Sequence, residues 1–346
     1  MRIGTGLGER SGGSVRLRYL RVAVAAVFAG LLLTVAAGAR PAPVRVGVVL
    51  KALDNPFFVA MYEGARAEAA RREVIASFRA PSDLDDIEGQ AARARTLVRS
   101  GKSDCYVVNP INGTNVVPAF RGSPQPVVNV DSPLDRPAAK RAGMRVLTYI
   151  GTDDAAAGAL AAAEMARAVG GPGEVALLAG NRDSRNSALR LSGFSRAAAG
   201  TGLRIVARIV ADYDRAKAQL AARRVLQEHP RVAGFFAAND VMALGIADVL
   251  EALGKAHAVE VIGVDAIPEA LDAVRSGLLT ATVAQYPYAM GRMAIEACVA
   301  ASRHKTLPVR VNAPIVLVTK RNLGAVAAAF PLPPRGFDDP FARLLR

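Results

Sequence analysis

The segment Val44–Arg72, VRVGVVLKALDNPFFVAMYEGARAEAARR, decides the fold of this 346-residue chain. Its first seven residues, VRVGVVL, are rich in valine and typical of a strand that is buried on both faces. Polar and turn-forming residues follow, and Phe57–Arg72 then has the composition and the polar faces of a helix, with Pro56 at its start. A buried strand followed by a helix is the unit from which parallel α/β sheets are built.

The same alternation of apolar runs and alanine-rich helical stretches continues to about residue 320. Continuous apolar strands are typical of parallel sheets that are covered by helices on both faces. About ten such strands are too many for one small sheet, so the pattern predicts an α/β fold with two sheet domains. The predicted strands are Val44–Leu50, Tyr106–Val108, Pro126–Val130, Val146–Ile150, Glu174–Leu178, Leu203–Val210, Ala233–Ala237, Val259–Val264, Thr280–Ala284 and Ile315–Thr319.

The residues before Val44 have the three-part pattern of a secretory signal peptide. A basic segment reaches to Arg21, an apolar run covers 22–37, and Ala37-Gly38-Ala39 is a small-x-small cleavage pattern. We therefore expect residues 1–39 to be a signal peptide and the mature protein to be soluble outside the cytoplasm. An uncleaved N-terminal anchor is the alternative.

The net charge of +14 first suggests a polyanionic partner. The signal segment carries +4 of this charge and the tail from Arg321 carries +2, which leaves +8 for the folded body. That remainder is dispersed in short pairs and forms no stripe, so we expect no nucleic-acid partner.

The cysteine and histidine counts exclude several kinds of metal site. Two cysteines cannot form a four-thiolate zinc site, and the three histidines are scattered without ligand spacing, so we expect no metal and no cofactor. In an oxidising compartment Cys105 and Cys298 either pair or remain separate buried thiols, and the sequence leaves both possibilities open.

Polar side chains follow the predicted strands at their carboxyl ends. In open α/β sheets, ligands bind in the crevice beyond these ends. Carboxylates accept hydrogen bonds and amides both donate and accept them, which suits a ligand with many hydroxyl groups. Phe57 and Phe58 would add apolar faces for a sugar ring, although each residue taken alone is equally explained as a cap, turn or core residue. The polar residues at these positions are Lys51, Asn55, Asn109, Asp131, Thr152, Asn239, Asp265 and Gln285.

Motifs of catalysis are missing from the sequence. It has no G-x-S-x-G elbow, no Walker loop and no H-E-x-x-H motif. Nothing supplies a nucleophile and a base together, and we therefore expect a binding protein and not an enzyme.

A series of motifs resembles the periplasmic sugar-binding proteins of the ribose- and D-allose-binding type. The first is LKALDNPFF at Leu50–Phe58, followed by Glu63-Gly64, and the resemblance covers roughly residues 44 to 320. The later motifs follow in the family's order. They are Val108-Asn109-Pro110, Val130-Asp131, Gly151-Thr152-Asp153, Arg190 with Gly193-Phe194, Ala211–Arg215, Ala238-Asn239-Asp240 with Met242–Gly245, Gly263-Val264-Asp265 and Thr280–Gln285.

The resemblance implies a type I periplasmic binding protein, in which two Rossmann-like lobes with parallel sheets are joined by a three-strand hinge. Residues 44–152 plus 286–313 would then form the N-terminal lobe. Residues 153–285 plus 314–320 would form the C-terminal lobe. Residues 321–346 would remain as a proline-rich, loosely ordered tail.

The resemblance also implies a ligand-binding set that is divided between the lobes. Arg190 beside a carboxylate suits a vicinal diol, because the guanidinium donates in a planar fork and the carboxylate accepts. The implied set is Lys51, Asn55, Phe57, Phe58, Asn109 and Asp131 in the first lobe, Arg190, Tyr213, Asn239 and Asp265 in the second, and Gln285 at a hinge crossing.

The sequence departs from the ribose branch at two positions. That branch has a small hydroxyl residue where Lys51 stands and an arginine where Ser132 stands, and the opening Val49-Leu50-Lys51 is more similar to the D-allose branch. The loop Gly180–Ser187, GNRDSRNS, also carries more charge than the small-residue loop of the family. Ser132 and the connection from Ser132 to Arg145, which is longer and more basic than in the family, argue against ribose and leave the identity of the sugar open.

The resemblance implies the substrate-binding receptor of an ABC sugar importer, which closes on a monosaccharide and docks on a permease in the cytoplasmic membrane. We expect a periplasmic monomer. The alternatives are the ligand core of a lac-type repressor and a sugar sensor that presents its closed form to a chemoreceptor. The signal-like leader in place of a helix-turn-helix argues against the repressor.

Overall fold

The computed structural model describes residues 1, 4, 6, 42–332 and 337–346, so the predicted signal peptide lies outside the described residues except for three isolated positions. The secondary structure lies in one compact unit, Val44–Arg346. None of the helices in the described part of the chain has both the length and the apolar character required to cross a membrane.

Strands and helices alternate along this unit. The described strands are β1 (Arg45–Val49), β2 (Ile75–Arg79), β3 (Cys105–Val108), β4 (Val127–Val130), β5 (Val146–Gly151), β6 (Gly173–Ala179), β7 (Leu203–Val210), β8 (Val232–Ala237), β9 (Glu260–Asp265), β10 (Ala281–Ala284), β11 (Arg310–Asn312) and β12 (Val316–Thr319). The α-helices are α1 (Pro56–Arg71), α2 (Ile87–Arg99), α3 (Arg136–Arg141), α4 (Asp154–Val169), α5 (Arg185–Ala198), α6 (Arg215–Glu228), α7 (Asp240–Ala252), α8 (Pro268–Ser276), α9 (Pro287–Ser302), α10 (Leu323–Ala329) and α11 (Pro340–Leu344).

Two six-stranded sheets form the centres of two lobes. The first sheet has the order β11–β5–β4–β3–β1–β2, and all of its strand pairs are parallel. The second has the order β12–β10–β9–β8–β6–β7, and only β12 runs antiparallel to its neighbour. This architecture confirms the predicted α/β fold with two parallel-sheet lobes.

The chain crosses between the sheets three times. It leaves the first sheet after β5, returns from the second after β10, and crosses again between β11 and β12. Helix α9 follows the second crossing and packs on α1 and on β3 and β4 of the first sheet. Each lobe is therefore assembled from segments that are distant in sequence.

A disulfide bond ties two of these distant segments together within the first lobe. Cys105 on β3 is bonded to Cys298 on α9, with 5.7 Å between their Cα atoms. Both side chains are buried in the first-lobe core. The structure thus decides between the two possibilities that the sequence left open.

Two glycines, one on α4 and one on α5, allow these helices to pack closely in the second lobe. A Cβ atom on Gly158 would lie 1.9 Å from the carbonyl oxygen of Arg190, and one on Gly193 would lie 2.1 Å from that of Ala155. Only glycine permits so close an approach of two helix backbones. The contact sets the position of Arg190 next to the start of α4.

The structure adds elements that the sequence analysis did not predict. Strands β2 and β11 lie at the two edges of the first sheet, where a continuous apolar run is not required. The residues Ile75–Arg79 of β2 are only partly buried and include Ser77 and Arg79, which hid the strand from a search for apolar runs. Helices α2 and α3 were likewise not predicted.

The C-terminal tail is more ordered than expected in its described parts. Helix α10 packs on α8 of the second lobe, whereas α11 packs on α9 of the first lobe. Phe341 of α11 is fully buried in the first-lobe core. The prolines suggested a loose segment, but Pro340 starts α11, and the aromatic side chain of that helix, Phe341, is buried.

Candidate functional site

A cavity lies between the lobes at the carboxyl ends of the strands, with about 540 Å³ unfilled by protein atoms, its open mouth included. Parallel strands of both sheets end here, so the loops that follow them converge from two sides. Most of the lining side chains are carboxylates, amides or aromatics. The lining residues are Lys51, Asn55, Phe57, Phe58, Leu84, Ile111, Asp131, Asn181, Ser184, Asn186, Arg190, Tyr213, Asn239 and Asp265.

Nine of the eleven residues in the predicted binding set line this cavity. The exceptions are Asn109 and Gln285, which are fully buried behind its wall. Asn109 accepts a hydrogen bond from the backbone N–H of Ser132 at 3.4 Å, and Gln285 donates one to Asp265 Oδ1 at 2.6 Å. The strand-end pattern therefore predicted residues that lie at one cavity, but these two side chains contact neighbouring groups instead of facing it.

Lys51 joins three groups of the first-lobe wall. Its Nζ donates to Ser132 Oγ at 2.6 Å, lies 3.4 Å from Asp131 Oδ2, and stands 5.2 Å from the centre of the Phe58 ring. A cation over an aromatic face and beside a carboxylate is stabilised by both. The two positions at which the sequence departs from the ribose branch, Lys51 and Ser132, are therefore in direct contact.

Phe57 and Phe58 form the aromatic part of the same wall. Their rings meet edge to face, with centroids 5.2 Å apart and an interplanar angle of 83°. Both belong to the first turn of α1, which Asn55 caps by accepting the Phe57 N–H at 2.9 Å. The cap thereby fixes the aromatic pair at the cavity and leaves the amide NH₂ of Asn55 as the group that can meet a ligand.

Arg190 is the central cation of the second-lobe wall and is almost fully buried. Its guanidinium donates to Asp154 Oδ1 at 2.8 Å and to the Ala238 carbonyl at 2.7 Å, and lies 3.7 Å from Asp265 Oδ1. Burial acts to lower the pKa of Arg190, but the charges of Asp154 and Asp265 outweigh it and raise that pKa above its ordinary value. The site thus holds a permanent positive charge.

Asp265 occupies a strained position at the end of β9. Its φ of 125° and that of Ala266, 58°, lie in the left-handed region that non-glycine residues rarely adopt. Burial raises the pKa of Asp265 well above its ordinary value, and Arg190 opposes the shift. The strain is typical of a functional site, because it aims a carboxyl group that simple strand geometry would not present.

Two further second-lobe residues complete the wall. Asn239 caps α7 by accepting the Met242 N–H at 3.0 Å. The hydroxyl of Tyr213 shares a hydrogen bond of 2.6 Å with Ser184 Oγ, and burial raises the pKa of Tyr213 to about 12. Both side chains are neutral hydrogen-bonding groups at the cavity.

The sequence analysis missed five lining residues. Two are apolar, Leu84 and Ile111, and lie in loops without a distinctive pattern. The other three follow β6: Asn181 and Ser184 lie in the loop before α5, and Asn186 is the second residue of α5. The strand-end rule would have found this loop if it had been applied to β6 as it was to the other strands.

Comparison with known proteins places these features in a family. The model of the periplasmic binding protein domain matches residues 46–306. The chain is 33% identical to the D-allose-binding periplasmic protein of Escherichia coli strain K12. The aligned 285 residues cover 81% of this chain and 90% of that protein. It is 30% identical to the ribose import binding protein RbsB of Bacillus subtilis strain 168, over 80% of this chain and 87% of the relative.

Solved structures give the same result. An ABC transporter periplasmic solute-binding protein of Actinobacillus succinogenes with bound D-allose superposes with a TM-score of 0.77 at 29% identity, over 82% of this chain and 99% of that one. An ABC transporter solute-binding protein of Agrobacterium vitis with bound D-fucose has a TM-score of 0.77 at 26% identity, over 84% of this chain and all of that one. The chain belongs to the periplasmic binding protein family.

Proposed function

We propose that this protein is the periplasmic receptor of an ABC sugar importer and that it binds a monosaccharide in the cavity between its lobes. The observation that carries this proposal is the convergence of Arg190, Asp131 and Asp265 with two phenylalanines on one cavity. Such a wall matches a ligand with hydroxyl groups around its edge and C–H groups on its face. The relatives named for D-allose and ribose support this chemistry.

Within this class we propose an aldohexose of the D-allose type over ribose. The contact between Lys51 and Ser132 supports this choice. It places a cation at the first-lobe wall, and both residues differ from those of the ribose branch. The D-allose-binding protein of Escherichia coli has 33% identity to this chain, compared with 30% for the Bacillus subtilis ribose protein.

The sugar would act by stabilising the closed arrangement of the lobes, because only that arrangement completes the hydrogen bonds from both walls. The closed receptor would then dock on a membrane permease. We further propose that residues 1–39 direct export and are removed, and that the receptor is a monomer. Presentation of the closed form to a chemoreceptor is compatible with the same cavity.

Calorimetry on ligand-stripped, refolded protein tests the proposal. We expect D-allose to bind more tightly than D-ribose, D-arabinose, D-xylose and D-galactose, and to raise the melting temperature of the protein. A better affinity for ribose would contradict the choice of sugar and leave the receptor class intact. If no sugar of the panel binds and the purified protein carries none, the receptor proposal itself fails.

A further inference from the structure

The lobes contact each other through few side-chain hydrogen bonds. The described residues form three, and one of these, between Thr152 and Gln285, lies at a chain crossing. The other two both involve Asn186, the second residue of α5. Across the cavity itself, the direct side-chain hydrogen bonds of the described residues therefore depend on a single carboxamide.

Asn186 contacts the first lobe at a turn that is shaped to meet it. Its Nδ2 donates to the carbonyl oxygen of Asp131 at 3.2 Å, and its Oδ1 lies 3.5 Å from Ser132 Oγ. Asp131 has a left-handed φ of 59°, and its carbonyl also accepts the Tyr149 hydroxyl at 2.6 Å. One acceptor site of this carbonyl is thus filled from its own lobe and the other from the opposite lobe.

The start of α5, which carries Asn186, is held firmly to the second lobe. Ser184 caps α5 by accepting the Ser187 N–H at 3.2 Å, and its hydroxyl also bonds to Tyr213. The hydroxyl of Ser187 accepts the Gly180 N–H at 2.9 Å. Asn186 is itself buried, with 7% of its surface exposed, so its carboxamide is a preorganised group and not a mobile surface side chain.

We propose that Asn186 is a positioning residue for closure, a latch that holds the Asp131–Ser132 turn against the second lobe when the cavity is shut. This inference rests on the proposed receptor function. The latch acts through its partners: Ser132 accepts the Lys51 ammonium, so the same contact helps to orient the first-lobe cation toward the ligand. Opening of the lobes replaces both hydrogen bonds with bonds to water.

The variants Asn186→Ala and Asn186→Asp test the latch, with Arg185→Gln as the matched control. Arg185 is the exposed neighbour at the start of the same helix and is not a lining residue of the cavity. Asn186→Ala removes both neutral hydrogen bonds, of which the 3.5 Å bond is weak, and is expected to speed D-allose dissociation by about 3- to 10-fold, with little change in the association rate. Asn186→Asp is expected to speed it more than 10-fold, since a carboxylate would then face the Asp131 carbonyl.

A sugar-independent measurement separates the latch from the receptor proposal. Small-angle scattering of ligand-free protein is expected to show a larger radius of gyration for Asn186→Asp than for wild type and Arg185→Gln. Melting temperatures of the ligand-free proteins should agree, which shows that the variants fold. The latch is overturned if both Asn186 variants match the control in scattering and in dissociation rate. A failure of wild type to bind any sugar overturns the receptor function instead.

Discussion

At the residue scale, Arg190 organises more of the site than any other described side chain. It contacts carboxylates from α4 and β9 and the carbonyl that follows β8. Burial raises the pKa of Asp154, and the charge of Arg190 acts against that shift. The guanidinium is therefore both a candidate donor to the ligand and the partner that permits buried carboxylates in this wall.

We expect Arg190→Ala and Asp265→Ala each to weaken sugar binding by more than about tenfold, because each leaves a buried charged partner without its counterpart. Calorimetric titration with D-allose measures the effect. The exposed Arg196→Ala on the same helix is the control and should bind like wild type. Wild-type affinity in both cavity variants would show that the ligand does not contact this wall.

The sequence predicted Asp265 and the other strand-end residues because one geometric rule applies to all parallel sheets: side chains after strand ends converge. Arg190 was expected only from the resemblance to the family. The rule cannot tell which way such a side chain points. Asn109 and Gln285 follow strands as Asp131 does, yet they turn behind the wall, because neighbouring strands and the chain crossing surround them. Rotation of a side chain by packing is a tertiary effect.

At the element scale, α11 lies over a buried group of charges on α1 and α9. Glu296 and Glu68 are both buried, and Glu296 Oε1 accepts from Arg72 at 2.8 Å and from Arg71 at 3.1 Å. Burial raises the pKa of Glu296 to about 8, the neighbouring carboxyl groups of Asp339 and Glu68 add to the shift, and Arg72 opposes it. This carboxyl group therefore binds its proton more tightly in the folded state than in the unfolded chain.

This arrangement predicts that the protein loses stability as the pH rises. The pKa of Glu296 is higher in the folded state than its unfolded value of 4.5, so the folded state binds the extra proton between pH 4.5 and about 8. The free energy of unfolding should fall by roughly 2–4 kcal/mol across this window, measured by urea unfolding at a series of pH values.

The variant Glu296→Gln provides the control for this titration. It keeps a neutral group at the same position and should remove the part of the pH dependence that Glu296 contributes between pH 4.5 and about 8, whereas Asp265 and Asp240, whose pKa values burial also raises, keep theirs. If the slope of stability against pH is the same in Glu296→Gln as in wild type, the titrating group is another buried acid, such as Asp240, whose pKa burial raises to about 6.

Elements in the sheet centres were predictable and elements at the edges were not. A central strand such as β3 is buried throughout and has the sequence of an apolar run, whereas β2 is half exposed and β11 has only three residues. Helix α11 was not predictable either, because five residues cannot form a stable helix alone. The burial of Phe341 against the first lobe stabilises it.

At the scale of the whole molecule, the Cys105–Cys298 bond joins residues 193 positions apart, so the closed loop contains every strand of the second sheet except β12. Cross-links over long loops restrict the unfolded chain strongly. We expect the variant Cys105→Ala/Cys298→Ala to lose about 3–5 kcal/mol of unfolding free energy in guanidinium titrations.

The same variant should retain D-allose affinity within about threefold when folded, because the bond lies in the first-lobe core and not in the cavity wall. A reducing agent should lower the stability of wild type and leave the variant unchanged. Equal stability of wild type with and without reducing agent would show that the two thiols are not bonded in solution.

The sequence by itself determined the strand–helix alternation, the division into two sheet lobes and most of the polar residues at the strand ends, because hydrophobic burial and parallel-strand geometry act locally and repeat along the chain. Only the tertiary structure decided that Cys105 and Cys298 pair, which strand-end side chains face the cavity, and that Asn186 contacts Asp131 in the opposite lobe. These contacts join segments far apart in sequence, and their geometry depends on how helices and sheets pack, which no local pattern encodes.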